Sequence, residues 1–371
     1  MQLIGKPAAR TRLSTPALIL DLDVLEANIL RMAEAGKEFG VGIRPHVKCH
    51  KSIAIAQKQI AAGAIGICCA TIGEAEVMGQ AGISNILITS PLITEDKIFR
   101  AVELSGSDKG LCVVTDHPLN AMRLSALFKQ AGRRIGVVID IDSGMQRTGV
   151  ASQKNAIELV KLVHDLDNLD YRGVQCYAGH VQHIENTERR QEAALSVMGG
   201  VKVLCEELSA IGLSPAIVTG GGTGTFDIDG PAGVLNELQV GSYVFMDAQY
   251  NRVWMNSGLT PPFDVSLFVQ SSVISSNFAG GVTCDAGLKH FAVDGGVPVI
   301  ARGAPGGVRY EYRGDEHGHV TFAEGASKPD LGDRMEFIVP HCDPTVNLYN
   351  YYHCVRGDEL VDIWPIDARG L

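Results

Sequence analysis

Between residues 16 and about 245, short β-rich runs alternate with helix-period segments, and no other feature of the chain restricts its fold as much. The strand candidates are ALILDL (17–22), GIRPHVK (42–48), GICCAT (66–71), NILITS (85–90), LCVVTD (111–116), RIGVVIDID (134–142), RGVQCYAG (172–179) and PAIVTGG (215–221). Between them lie helical patterns such as SIAIAQKQIAAG, ended by Gly63, and HPLNAMRLSALFKQAG, ended by Gly132. Glycine just past a helix is a common stop, because it takes up the left-handed conformation that closes the last turn. Strands joined through helices run parallel. Eight units of roughly 30 residues predict an α/β fold built on a closed (β/α)8 TIM-type barrel, with a doubly wound open sheet as the competing arrangement.

After about residue 255 the texture changes. FDVSLFVQSSVISS, GGVTCDAGL, VRYEYRGDEHGHVTF, DRMEFIVPH and YYHCVRGDELVDIWPI are strand-like runs separated by glycine-rich or charged turns, with no clear helix. They predict a C-terminal antiparallel β domain. The expected division is a barrel over residues 14–250 and a β domain made of residues 1–13 and 251–371.

Composition excludes several classes of partner. A net charge of −10 without a basic cluster argues against nucleic acid. No apolar run reaches the roughly 18 to 20 residues of a membrane helix, so no membrane partner is expected. The opening MQLIGKPAARTRLSTP lacks the apolar core of a secretory signal. Nine cysteines without a CxxC pair suit neither a zinc ribbon nor a disulfide scaffold. A cytoplasmic location is the expectation.

Four stretches carry candidate chemistry. In VGIRPHVKCHK, alternation puts Gly42, Arg44, His46 and Lys48 on one face, opposite Val41, Ile43, Pro45 and Val47. If the apolar set packs against the helices, three long polar side chains enter the barrel, with Lys48 at the rim where barrel active sites form. A lysine there loses hydration and can form an imine, although a structural lysine neutralised by a carboxylate is equally compatible. Lys51 is expected to be solvated. TGGGTGTF (219–226) follows the last candidate strand and fits neither a Walker A loop nor a dinucleotide-binding motif. Glycines let backbone N–H groups approach an anion, so the loop suggests a phosphate, and with the rim lysine it suggests pyridoxal 5′-phosphate (PLP). IDIDSGMQRTG (139–149) and CYAGHVQHIE (176–185) add Arg147, Tyr177, His180 and His183 to the same rim. Arg147 could serve a cofactor or pair with Asp140 or Asp142.

Taken together, RPHVKCHK, DSGMQRTG, YAGHVQH, TGGGTGTF and the late HCD (341–343) resemble the D-threonine aldolase and D-serine dehydratase group, over a span from about Thr15 to Asp362. These are fold-type III PLP enzymes with an alanine-racemase-like barrel and a C-terminal β domain. The resemblance implies that Lys48 carries PLP, that Arg147 contacts the phenolic oxygen of its ring and that Tyr177 lies by the pyridine. It implies cofactor contacts from Thr219 and a phosphate site at Gly221, Gly222 and Thr223. His183 becomes the base in the substrate pocket. The family's metal pair is His-x-Asp in the aldolase branch and His-x-Cys in the dehydratases. If FIVPHCD is a strand, residues 341 and 343 share a face and 342 points away, which selects His341 and Asp343 over Cys342. An imidazole with a carboxylate favours Mn²⁺, with Co²⁺ or Mg²⁺ as alternatives. The implied reaction is metal-assisted cleavage of a small D-β-hydroxy-α-amino acid to glycine and an aldehyde by a homodimer. Alternatives are a D-3-hydroxyaspartate aldolase, a D-serine or D-3-hydroxyaspartate dehydratase and, more distantly, a racemase or a non-catalytic PLP carrier.

Overall fold

Eight short parallel strands form the sheet that the alternation implies. The computed structural model describes residues 3–371. In sheet order the strands are Gly42–Ile43, Glu237–Leu238, Ile217–Gly220, Leu169–Cys176, Ile135–Asp140, Cys112–Thr115, Ile86–Ile88 and Ile67–Cys69. A parallel bridge between His46 and Cys68 joins the two ends of that order, and the Cys68 N–H donates to the Pro45 carbonyl at 2.8 Å. The sheet therefore closes into a barrel. Its strands lie in a compact unit of Arg31–Lys48, Ile53–Gly241 and Leu371. Helices Ile53–Ala61 and Pro118–Gln130 end ahead of Gly63 and Gly132, both with positive φ (104° and 62°). Ser152 and Asn186 cap the helices Gln153–Asp165 and Thr187–Ala210 by accepting N–H groups from their first turns.

Strand membership differs from expectation at one place. Ala17–Asp21 is fully buried, but it pairs antiparallel with Leu267–Ser275 and parallel with Tyr351–Arg356 in the other sheet. Its barrel position is taken by the two-residue strand Glu237–Leu238. A run apolar on both faces suits any doubly covered strand, so its pattern cannot say which sheet receives it. The lysine segment thus follows the first barrel strand, and the glycine loop follows the seventh.

Several polar side chains enter the barrel interior, where aliphatic packing is the norm. Arg44 makes a bidentate pair with Glu237, both N···O distances being 2.8 Å, and also donates to the Asn85 carbonyl. His46 Nε2 meets Thr89 Oγ1 at 3.0 Å. Gln175 donates to Asp140 Oδ1 (2.9 Å), and Gln239 donates to Gln175 Oε1 (3.0 Å) and Thr219 Oγ1 (3.1 Å). Arg44 and His46 thus face inward as the alternation requires. Their partners satisfy groups that would be costly to bury alone.

The second unit comprises the chain up to Leu30, Cys49–Ser52 and Ser242–Gly370. Its nine-stranded sheet is antiparallel at every pairing except that of Ala17–Asp21 with Tyr351–Arg356. Arg10, only 1 % exposed, fastens the N-terminal segment to the strand Arg334–Ile338 through a bidentate bond to Glu336, both N···O distances being 2.7 Å. Among the described residues, no helix is long and apolar enough to cross a membrane.

Candidate active site

Lys48 does not sit in a strand. Past the His46 bridge the chain tightens into a single 3₁₀ turn, Val47–Cys49, with Val47 buried and Lys48 half-buried. The alternation therefore holds for Arg44 and His46, and the turn delivers Lys48 at the C-terminal end of the first barrel strand. The Lys48 N–H leans on His46 Nδ1 at 3.4 Å, and the opposite ring nitrogen is the one that meets Thr89. Lys51, expected in solvent, is instead 9 % exposed. It has φ +50°, and its carbonyl accepts the Ala368 N–H at 3.0 Å. The reason is tertiary, since a neighbouring segment covers the turn.

The loops after the fifth and sixth barrel strands place Arg147 against Tyr177, with the guanidinium carbon 5.4 Å from the ring centre. This is a cation–π contact. Neither aspartate holds Arg147 in an ion pair among the described residues. Asp140 is occupied by Gln175 and Thr148, and Asp142 accepts the N–H groups of Gly144 and Gln146. Burial pushes the Asp140 carboxyl up, while the bonds from Gln175 and Thr148 oppose that shift. His180, in the 3₁₀ turn Gly179–Val181, and His183 just beyond it are both exposed.

The glycine loop presents open backbone amides. Gly221 has φ +68°, and the N–H groups of Gly221 and Gly222 have no partner among the described residues. Thr223 is buried. Paired amides left open at the C-terminal rim of a barrel suit an anion, so the residues present fit the phosphate of PLP. The Thr219 hydroxyl is engaged by Gln239 inside the barrel.

In the second unit the strand Arg334–Ile338 ends early. His341, in extended conformation, leads into a short helix, Cys342–Val346. The expected strand through residues 341–343 is therefore not formed. Pro344 suits the first turn of a helix, and the Asp247 carboxylate accepts the Cys342 N–H at 2.9 Å. The same carboxylate accepts the Tyr250 N–H at 2.9 Å and so caps the helix Ala248–Met255 as well. Side-chain alternation accordingly cannot separate Cys342 from its neighbours. Cys342 is 0 % exposed, which pushes its thiol well above the ordinary range, and its Sγ donates to Asp343 Oδ1 at 3.3 Å. His341 keeps partial exposure, and its Nδ1 meets Asp294 Oδ2 at 2.7 Å. Asp343 Oδ1 accepts from Ser242 Oγ at 3.3 Å.

Among the described residues, no cluster of three or more His, Cys, Asp or Glu side chains could hold a metal. An ion held by His341 and Asp343 would complete its coordination with water or substrate. A carboxylate on the far ring nitrogen is the usual support of a metal-binding imidazole, so the donor set fits a divalent ion. Sequence reasoning missed Asp294. It lies in an ordinary Val-Asp-Gly-Gly turn 47 residues from His341, and nothing local marks it. Asp247 was also missed, although an aspartate just ahead of a helical pattern is a capping signal.

The alanine racemase N-terminal domain family matches residues 20–249, and the family described as "Putative serine dehydratase domain" matches residues 266–355. A D-threonine aldolase of Arthrobacter sp. is 37% identical over 99% of this chain and 95% of its own. The chain belongs to the D-threonine aldolase family of fold-type III PLP enzymes. A 3-hydroxy-D-aspartate aldolase of Paracoccus denitrificans (strain Pd 1222) is 35% identical, covering 97% of this chain and 93% of its own. The crystal structure of D-threonine aldolase from Filomicrobium marinum superposes with a TM-score of 0.93 at 39% identity, covering 97% of each chain. As a member of this family the protein is a carbon–carbon lyase of the D-amino acid aldolase type.

Proposed function

We propose that the protein is a PLP- and divalent-metal-dependent aldolase that cleaves D-β-hydroxy-α-amino acids of the D-threonine type to glycine and an aldehyde. The observation that carries this reading is the state of the HCD segment: His341 backed by Asp294, Asp343 two residues on, and Cys342 buried. That donor set is imidazole plus carboxylate, which suits Mn²⁺, with Co²⁺ or Mg²⁺ as alternatives. When bound, PLP supplies a sink for the electron pair released at Cα, and the metal supplies Lewis acidity to the substrate hydroxyl.

The chain's own residues would divide the remaining work. The Lys48 amine holds the cofactor, and the amides of Gly221, Gly222 and Thr223 hold its phosphate, with Thr219 at the base of that loop. Arg147 and Tyr177, already in contact with each other, flank the ring. His183, exposed at the rim, accepts the β-hydroxyl proton as the Cα–Cβ bond breaks. His341 and Asp343 hold the metal. None of the nine cysteines forms a disulfide, in keeping with the cytoplasmic location proposed, and a homodimer is the proposed assembly.

A substrate with a second carboxylate, D-3-hydroxyaspartate, is the alternative reading. It is favoured by Arg252, a half-buried cation that donates to the carbonyl of Gly295, next to Asp294, at 3.3 Å. The test is to incubate purified protein with D-threonine and with D-3-hydroxyaspartate, with and without EDTA. Glycine plus an aldehyde, abolished by EDTA and restored by Mn²⁺, supports aldol cleavage, and the faster substrate separates the two aldolase readings. Ammonia with a 2-oxo acid would replace the proposal with a dehydratase.

A further inference from the structure

Two rim loops of the barrel unit, residues 176–185 and 219–226, meet on one buried side chain. Gln182 is 1 % exposed. Its Oε1 accepts the Gly224 N–H at 2.9 Å, and its Nε2 donates to Thr225 Oγ1 at 2.9 Å and to the Ala178 carbonyl at 3.3 Å. The polarity of this chain of bonds is forced. A backbone N–H must face the amide oxygen, so the amide nitrogen faces Thr225. Thr225 accepts that bond and sends its own hydroxyl proton to Asp229 Oδ2, at 2.5 Å.

The glycines of the loop take on a second meaning here. A Cβ on Gly222 would stand 2.5 Å from Gln182 Oε1, and one on Gly224 would run into the Gln182 backbone carbonyl. Glycine is thus needed at both positions for Gln182 to enter the loop, independently of any ligand. With the Gly224 amide tied to Gln182, the open amides are those of Gly221 and Gly222. Which N–H groups face outward is set by a side chain from the other loop.

We infer that Gln182 is a positioning residue that holds the 219–226 loop in its anion-binding form, and so confers the preference for a phosphorylated over an unphosphorylated pyridoxal. This rests on the reading of Lys48 and the glycine loop as the PLP site. Without Gln182 the loop would have to order itself on binding, and the cost would appear in affinity for the phosphate alone.

The experiment uses full-length protein stripped of PLP, as wild type, Gln182→Leu and Gln182→Glu, titrated separately with PLP and with pyridoxal while the Schiff-base absorbance is followed. Losing the two neutral hydrogen bonds from Gln182 to the 219–226 loop should weaken PLP binding by Gln182→Leu about tenfold or more, with pyridoxal binding changed by less than about twofold. Gln182→Glu should lose more PLP affinity still, because it places a carboxylate beside the phosphate and cannot donate to Thr225. Pyridoxal binding serves as the control for folding. An unchanged ratio of PLP to pyridoxal affinity, whether both are retained or both lost together, overturns the inference and makes Gln182 a packing residue. Wild type that binds PLP without colour, or whose colour survives Lys48→Ala, instead fails the PLP reading itself, and the inference falls with it.

Discussion

Replacing Asp294 tests how the second unit would hold a metal. The Asp294 carboxylate takes Nδ1 of His341 at 2.7 Å, so the ring carries its proton on that side and leaves the Nε2 lone pair outward. Alanine at 294 removes the acceptor and frees both the tautomer and the ring torsion. Asparagine keeps a neutral acceptor. A hydrogen bond to a charged group is typically worth about 1.5–3 kcal/mol. The Asp294 side chain is 57 % exposed and that of His341 24 %, so solvent screens much of the charge. A remaining loss of about 1–1.5 kcal/mol corresponds to roughly tenfold in metal affinity, at the lower end of the range known for such supporting carboxylates. Calorimetric titration of Mn²⁺ into the PLP-loaded protein should give a Kd about tenfold weaker for Asp294→Ala and a smaller change for Asp294→Asn, with the gap narrowing in high salt. The exposure of Asp294 makes misfolding an implausible source of the loss, and a melting curve would register it. A Kd for Asp294→Ala within about twofold of wild type would refute the argument that this carboxylate orients His341.

Other perturbations follow from the same geometry. Cys342→Ser should leave metal affinity nearly unchanged, since the thiol is buried in a helix, and a large loss in the same titration would restore cysteine as a ligand. Lys48→Ala should abolish the visible absorbance of PLP-loaded protein, and persistence of the colour would show that another amine carries the cofactor. Arg10→Met should destabilise the protein by about 2–4 kcal/mol in a urea melt, because the buried Glu336 would lose its bidentate partner and keep only the half-exposed Arg302 at 3.7 Å and the amide of Gln270, and a loss below about 1 kcal/mol would contradict that account. Burial raises the Asp229 carboxyl from 3.8 to about 6, against the opposing bond from Thr225. The folded state therefore holds that proton more tightly than the unfolded chain. Stability relative to Asp229→Asn should fall as pH rises from about 4 to about 6, by roughly 2–3 kcal/mol, and level off above. Parallel stability–pH curves for the two proteins would refute this.

Local periodicity and composition were enough for the two-part architecture, because strand–helix alternation and hairpin-like runs are properties of neighbouring residues. The rim motifs were legible for the same reason. A lysine after a strand or a glycine run after another can be recognised wherever the barrel later puts it, and the inward turn of Arg44 and His46 follows from a two-residue repeat. What lay beyond the sequence depended on partners far along the chain. Ala17–Asp21 reads as a strand in any sheet, and only its pairing with Leu267–Ser275 and Tyr351–Arg356 removes it from the barrel. HCD reads as a strand end, until Asp247, 95 residues earlier, accepts the Cys342 N–H and the segment turns into a helix. Asp294 behind His341 and Gln182 beneath the glycine loop have no local signature. Each acts through one or two hydrogen bonds spanning 40 residues or more, and a side chain gains such a neighbour only when the chain folds back on itself.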